Sequence, residues 1–249
     1  MEPIRLSRCR LTDASSASYH TAMGLGPLFL KDFIALKRRG LLEGYRHIVE
    51  IGAQQMNDLL IASPELDEIV ALFGGKKPAL TPVGAPRIRP SSPPGRMLWT
   101  ALGFHSQSLD IEGGEICIDL NDGAVPEQYR GAFDIAINAG TTEHIANQGN
   151  AFAAIHDLVR VGGLMYHQVP ASGNIDHGFF GYQPKFFHRL AHANEYEMVY
   201  FEMKGYGEFE PPEYLREKSQ NLPEKILRTH LRLAMVRKLA GKFVMPVDK

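Results

Sequence analysis

Two short apolar runs of this chain end in residues that can do chemistry. Residues 47–51, HIVEI, close on Glu50-Ile51-Gly52 and continue into Ala53-Gln54-Gln55. Residues 133–138, FDIAIN, close on Asn138 and lead through Gly140 into Thr141, Thr142, Glu143 and His144. A carboxylate such as Glu50 can accept hydrogen bonds from an ammonium or hydroxyl group, and a glycine lets backbone approach a ligand closely. Imidazoles exchange protons near neutral pH, which makes His144 and His177 candidates for proton transfer. Further acids stand at Asp110 and Glu112 in HSQSLDIEGG, and at Asp119 in the triplet Asp119-Leu120-Asn121.

Such residues need elements to position them. Apolar runs that stop abruptly in Gly and polar residues are what buried parallel strands produce at the carboxyl edge of a sheet, where ligands of open α/β sheets sit. The pattern predicts strands over residues 47–51, 105–114, 115–123, 133–138, 164–169 and 197–204. It predicts helices over 27–42, after Gly52, over 64–73, 96–104, 148–161 and 184–194, with Pro27 and Pro184 as start signals. Residues 74–95 are too rich in Pro and Gly for regular structure and read as a lid or binding loop. The tail, LPEKILRTHLRLAMVRKLAG, reads as a helix over 222–241 with a basic stripe of Lys225, Arg228, Arg232 and Lys238 opposite Leu227, Leu231 and Met235. Alternating strands and helices give an α/β fold with a doubly wound, mostly parallel sheet, an N-terminal helix and a C-terminal helical extension. The expected division is a cap at 1–44, a core at 45–210 and a basic extension at 211–249.

With 249 residues, 44% hydrophobic and 22% charged, the chain suits one globular domain. Net charge is −1, although residues 211–249 carry nine basic against four acidic side chains, and neither figure points to nucleic acid. Cys9 and Cys117 fit a reduced compartment, with Cys117 read as a small buried thiol. No signal-peptide core and no run of ~20 apolar residues is present, so the expectation is a cytoplasmic protein without integral membrane contact. His188 and His192 stand four apart on a helix but lack a third ligand, so no metal site is expected there. Trp99 reads as a core anchor.

The order strand, E-x-G, helix, acidic strand end, Asp-Leu-Asn, strand, then Gly162-Gly163 before another strand, resembles the class I S-adenosylmethionine-dependent methyltransferases over residues 45–203. The resemblance implies a Rossmann-like fold and S-adenosylmethionine as cofactor. Its roles fall on Glu50 and Gly52 under the methionine part, on Asp110 (or Glu112) at the ribose diol, on Asp119 and Leu120 at the adenine, and on Asn138 and Gly140 at the fourth strand end. Gln55 and Asn57 would donate to the cofactor carboxylate in place of two further glycines that the family usually carries after Gly52.

The acceptor side then falls to Thr141, Glu143 and His144, and to His167, His177, Phe179, Phe180 and Tyr182 around the loop QVPASGNIDHGFFGYQP, with His144 or His177 as the base. The bland readings are a capping His144 and a loop clamped by its aromatics. The expected partner is a small polar acceptor, a sugar or other metabolite hydroxyl, with homo-oligomerisation left open. Two other readings are a non-catalytic binding or assembly module, suggested by the Gly52-Ala53-Gln54-Gln55 loop, and a nicotinamide-dependent oxidoreductase. The latter lacks its G-x-G-x-x-G after the first strand.

Overall fold

The computed structural model describes residues 24–82, 91–209 and 225–248, with backbone alone for 206–209. Seven strands form one sheet: β1 His47–Ile51, β2 His105–Asp110, β3 Ile116–Cys117, β4 Phe133–Ala139, β5 Val159–Pro170, β6 Tyr196–Phe209 and β7 Ile226–Arg237. Their order is β3-β2-β1-β4-β5-β7-β6. The pairs among β1 to β5 are parallel, and β7 runs antiparallel to both β5 and β6. The helices are α1 Pro27–Arg38, α2 Asp58–Ile61, α3 Pro64–Leu72, α4 Arg96–Ala101, α5 Gln148–Leu158 and α6 Pro184–Ala193. This is the doubly wound, mostly parallel α/β sheet expected from the sequence.

Side-chain alternation along the strands builds two separate core layers. Ile48, Ile135, Ile137, Leu164 and Tyr166 point to one face and pack with Phe29 and Phe33 of α1, Leu66 and Ile69 of α3 and Trp99 of α4. Val49, Ile51, Ala136 and Met165 point to the other and pack with Phe152 and Ile155 of α5 and Phe187 and Leu190 of α6. Asn57 accepts the N–H of Leu60 and so caps α2. The order of strands reverses between β1 and β4, and the crevice at their carboxyl ends is the place where such sheets hold ligands.

The tail departs from expectation. The predicted helix over 222–241 is instead β7, the sixth strand of the sheet, with Leu231, Leu233, Ala234 and Met235 fully buried; residues 222–224 lie outside the described residues. The basic stripe does not form, because Arg232 is buried and its guanidinium binds Asp32 of α1 and Glu202 of β6. A buried guanidinium needs such partners to offset its lost hydration. Cys117, expected as a buried thiol in a reduced compartment, is instead exposed on the edge strand β3 and is disulfide-bonded rather than a free thiol; Cys9 lies outside the described residues. The strand predicted over 115–123 is only Ile116–Cys117, and β5 begins at Val159 with Gly162-Gly163 inside it. The described part of the Pro-rich stretch is irregular apart from a bridge of Pro94 to Gln55, and residues 83–90 lie outside the description. No described helix is long and apolar enough to cross a membrane.

Candidate functional site

The carboxyl ends of β1, β2 and β4, with the segment after β3, surround a cavity of about 400 Å³. That volume lies within the ~300–1,000 Å³ of ordinary small-molecule sites. Gly52, Gln55, Asp110, Asp119, Leu120, Gly140, Thr141 and His144 all line it, so eight sequence-nominated residues meet in one place. A larger cavity of about 760 Å³ is lined by the start of the insertion, with Lys76 and Lys77, and by Arg96 of α4, and contains none of the nominated residues. We take the smaller one as the site, because it is where the strand ends converge.

Gly52 makes the cavity possible. Its φ of +78° belongs to the left-handed region, and a Cβ added there would stand 2.4 Å from Oγ1 of Thr141. The β1 and β4 loops thus touch through this glycine, an approach sealed by Thr141 Oγ1 donating to the Ile51 carbonyl at 2.6 Å. Gln54 is buried, and its Nε2 donates to the Ile51 carbonyl at 2.9 Å, which fixes the loop from within.

The two acids are held by backbone N–H groups. Asp110 Oδ2 accepts from Ala53 N–H at 2.9 Å, which ties the end of β2 to the β1 loop. Asp119 Oδ1 accepts from Asn121 N–H at 2.8 Å and from Asn121 Nδ2 at 3.0 Å. Asp110 Oδ1 also accepts from Glu112 N–H at 3.4 Å, and both acids line the cavity. Glu112, the competing candidate, is exposed and does not line it.

Several nominated residues lie elsewhere. Glu50, expected under a bound ligand, points to the opposite face of β1 from Ile51. It is 3% exposed and accepts from Trp99 Nε1 at 2.6 Å and from Gln54 N–H at 3.3 Å. Burial pushes its carboxyl up to about 8, against the opposing effect of those two hydrogen bonds. Asn138 is fully buried; its Nδ2 donates to Thr142 Oγ1 at 2.8 Å and its Oδ1 accepts from Thr142 N–H at 3.2 Å, which shapes the turn beyond β4. His167 lies beside Asn138 Nδ2 at 3.1 Å, and burial pushes its imidazole down to about 3. Tyr182 is a core residue whose hydroxyl donates to Gln148 Oε1 at 2.6 Å.

Glu143, His177 and Phe180 form a neighbouring group. The turn Thr142–His144 carries Glu143 inward, 0% exposed, while His144 faces the cavity. The loop after β5 crosses it, with Phe179 and Phe180 N–H donating to the Glu143 carbonyl at 2.8 and 3.2 Å. His177 Nε2 thereby lies 3.5 Å from Glu143 Oε1, and the His144 and His177 rings lie 5.2 Å apart. Phe179 is exposed, and Phe180 is half-exposed at 37%.

The cavity also uses Asn121, Ile111, Ile118 and Ile145, which sequence reasoning did not select. Asn121 had a signal, since it follows Asp119-Leu120, and its Oδ1 accepts from Ala146 and Asn147 N–H at 3.1 and 3.2 Å. The isoleucines had none beyond being apolar.

No protein-family model and no curated protein matches the chain. Solved structures with a similar trace include the Burkholderia thailandensis 1,6-didemethyltoxoflavin-N1-methyltransferase with bound 1,6-didemethyltoxoflavin and S-adenosylhomocysteine. It is 12% identical with a TM-score of 0.42, and the match covers 85% of this chain and 88% of that one. A structure from work on conversion of a disulfide bond into a thioacetal group during echinomycin biosynthesis is 12% identical with a TM-score of 0.42, covering 83% and 82%. A SAM-dependent methyltransferase from Archaeoglobus fulgidus is 12% identical with a TM-score of 0.40, covering 82% and 94%.

Proposed function

We propose that this chain is an S-adenosylmethionine-dependent methyltransferase acting on a hydroxyl of a small polar molecule. The observation that carries the reading is that Asp110 and Asp119, at successive strand ends, face one cavity whose third wall is the glycine-opened backbone of Gly52 and Ala53. A ligand with a ribose diol, an adenine edge and an amino-acid end asks for acids at two separated points and exposed backbone at a third. Asp110 suits the diol, since one carboxylate accepts both hydroxyls. Asp119 and the backbone beside Leu120 suit the adenine edge, with Ile111 and Ile118 as apolar flanks. Gln55 reaches the end that carries ammonium and carboxylate.

The acceptor would enter beside Thr141 and His144. The bound cofactor would supply the methyl group from its sulfonium sulfur, and His144 at the cavity wall would take the proton of the acceptor hydroxyl. Such an in-line displacement depends chiefly on alignment, which can contribute ~7–11 kcal/mol. A purely structural module is disfavoured by the Gln54 hydrogen bonds, which keep the β1 loop open without its usual extra glycines. Calorimetric titration with S-adenosylmethionine and S-adenosylhomocysteine tests the reading: micromolar binding of both is expected, and no heat with either overturns it.

A further inference from the structure

We infer that Glu143, His144 and His177 form a site for one divalent transition-metal ion. One ligating atom of each of the three side chains lies within 4.8 Å of the other two. An ion at the centre of a triangle with sides of that limit would stand about 2.8 Å from each donor, so inward rotation of each by roughly 0.7 Å reaches bonds of ~2.1 Å.

The independent sign of a cation is Glu143 itself. Its side chain is 0% exposed, and neither carboxylate oxygen has a hydrogen-bond partner among the described residues. A buried carboxylate without donors costs several kcal/mol unless a cation balances it. Among the described residues the groups of opposite potential charge beside it are the imidazoles of His177, at 3.5 Å, and of His144, within 4.8 Å.

The three donors are pre-positioned rather than gathered from mobile surface. Asn138 and Gln148 hold the turn that carries Glu143 and His144: Asn138 bonds Thr142 at both its backbone and hydroxyl, and Gln148 Nε2 donates to the carbonyls of Thr142 and Ile145 at 2.7 and 2.6 Å. The loop that carries His177 is tied to β7 through Asn174 Nδ2, which donates to the Thr229 carbonyl at 3.0 Å. It is also pressed against Glu143 at Gly178, where a Cβ would meet the Glu143 carbonyl oxygen at 3.0 Å. Supporting shells of this kind are what orient metal ligands.

Two imidazoles and one carboxylate suit zinc, iron(II), manganese or cobalt better than calcium or magnesium, which prefer oxygen. Three protein ligands among the described residues leave a coordination position open, the pattern of catalytic rather than structural sites. His144 belongs both to this cluster and to the cavity wall, so the ion stands at the acceptor end of the site. Resting on the proposed methyl transfer, its task there is to bind the acceptor hydroxyl and release that proton to water before the oxygen attacks the methyl carbon. His144 then serves as ligand in place of base.

The test uses the full chain stripped by chelator and titrated with cobalt(II), followed by absorption in the visible and by competition with zinc. One equivalent is expected to give d–d bands, displaced by zinc. Glu143→Gln and His177→Ala, each checked for wild-type melting, are expected to weaken cobalt binding at least ~10-fold, within the range for lost metal-shell groups. His188→Ala/His192→Ala, on the exposed face of α6, is expected to bind as the wild type. Absence of micromolar binding overturns the inference, as does binding that survives Glu143→Gln and His177→Ala. Because His144→Ala removes a ligand without touching the buried carboxylate, it decides the matter if the other two variants misfold: retained cobalt bands overturn the site. S-adenosylhomocysteine affinity measured on the same samples separates loss of the metal site from failure of the cofactor reading.

Discussion

The indole N–H of Trp99 reaches across the sheet face to the Glu50 carboxylate at 2.6 Å, joining the helix after the Pro-rich stretch to the end of β1. Glu50 therefore stabilises the wall behind the cavity. Burial keeps it protonated to about 8, whereas an exposed glutamate titrates at 4.5. Between those values the folded chain binds more protons than the unfolded one, so stability falls as pH rises across the window and levels off above it. Glu50→Gln, neutral throughout, is expected to flatten that decline and to melt higher than wild type at pH 8.5, with little difference at pH 4.5. Melting temperatures across that range check it, and an unchanged slope would rule the assignment out.

His167 has the opposite sign. Burial holds its imidazole down at about 3, against 6.5 when exposed, so the unfolded chain binds more protons between those values and stability falls as pH drops through them. His167→Gln, which keeps a hydrogen-bonding group beside Asn138, should make the acid limb of the melting curve shallower than that of the wild type. A limb as steep as before would assign the acid sensitivity to other buried groups.

These two residues show where the sequence was and was not legible. The bounds of β1 and the gathering of Gly52, Asp110, Asp119 and Gly140 at one edge follow from apolar runs that stop in Gly and acids, a local signal. The orientation of Glu50 was available too, since strand alternation sends it to the face opposite Ile51. β7 was misread for a physical reason: Leu227, Leu231 and Met235 are four apart, a spacing that keeps residues on one face of a helix and of a strand alike. What decides between them is Arg232 binding Asp32, two hundred positions earlier in the chain. No local pattern carries that information. The cluster of Glu143 with His177 depends in the same way on a loop crossing after β5.

At the ribose end, Asp110→Ala is expected to weaken S-adenosylhomocysteine binding ~10- to 100-fold, the scale of a lost hydrogen bond to a charged group. Glu112→Ala, exposed and off the cavity, should leave it unchanged. Calorimetry on both variants checks the pair. The reverse result would move the diol to Glu112.

Gly52→Ala combines a positive φ with a Cβ 2.4 Å from Thr141 Oγ1. It is expected to cost ~1–3 kcal/mol of stability and to abolish measurable cofactor binding. Adding Thr141→Ala removes the contact and leaves the backbone strain, so the double variant should regain only part of the loss. Additive losses measured by denaturant unfolding would show that the two loops do not meet through Gly52.

On the proposed reading His144 bears on the transferred group alone, since it lines the cavity from the turn beyond β4 while Asp110 and Asp119 line it from the end of β2 and the segment after β3. His144→Ala should therefore lower turnover by ~10²- to 10⁴-fold and leave S-adenosylhomocysteine affinity almost untouched. A packing role would instead lower melting temperature and affinity together, so all three quantities belong on one sample. Chelation then divides the two ways in which His144 can act. If it is a ligand, removing the metal from wild type should reduce turnover to the level of the variant, and manganese or zinc should restore wild type but not His144→Ala. If it is a simple base, chelator should leave the wild-type rate unchanged. Full turnover by His144→Ala would remove it from the site and leave His177 as the group to test.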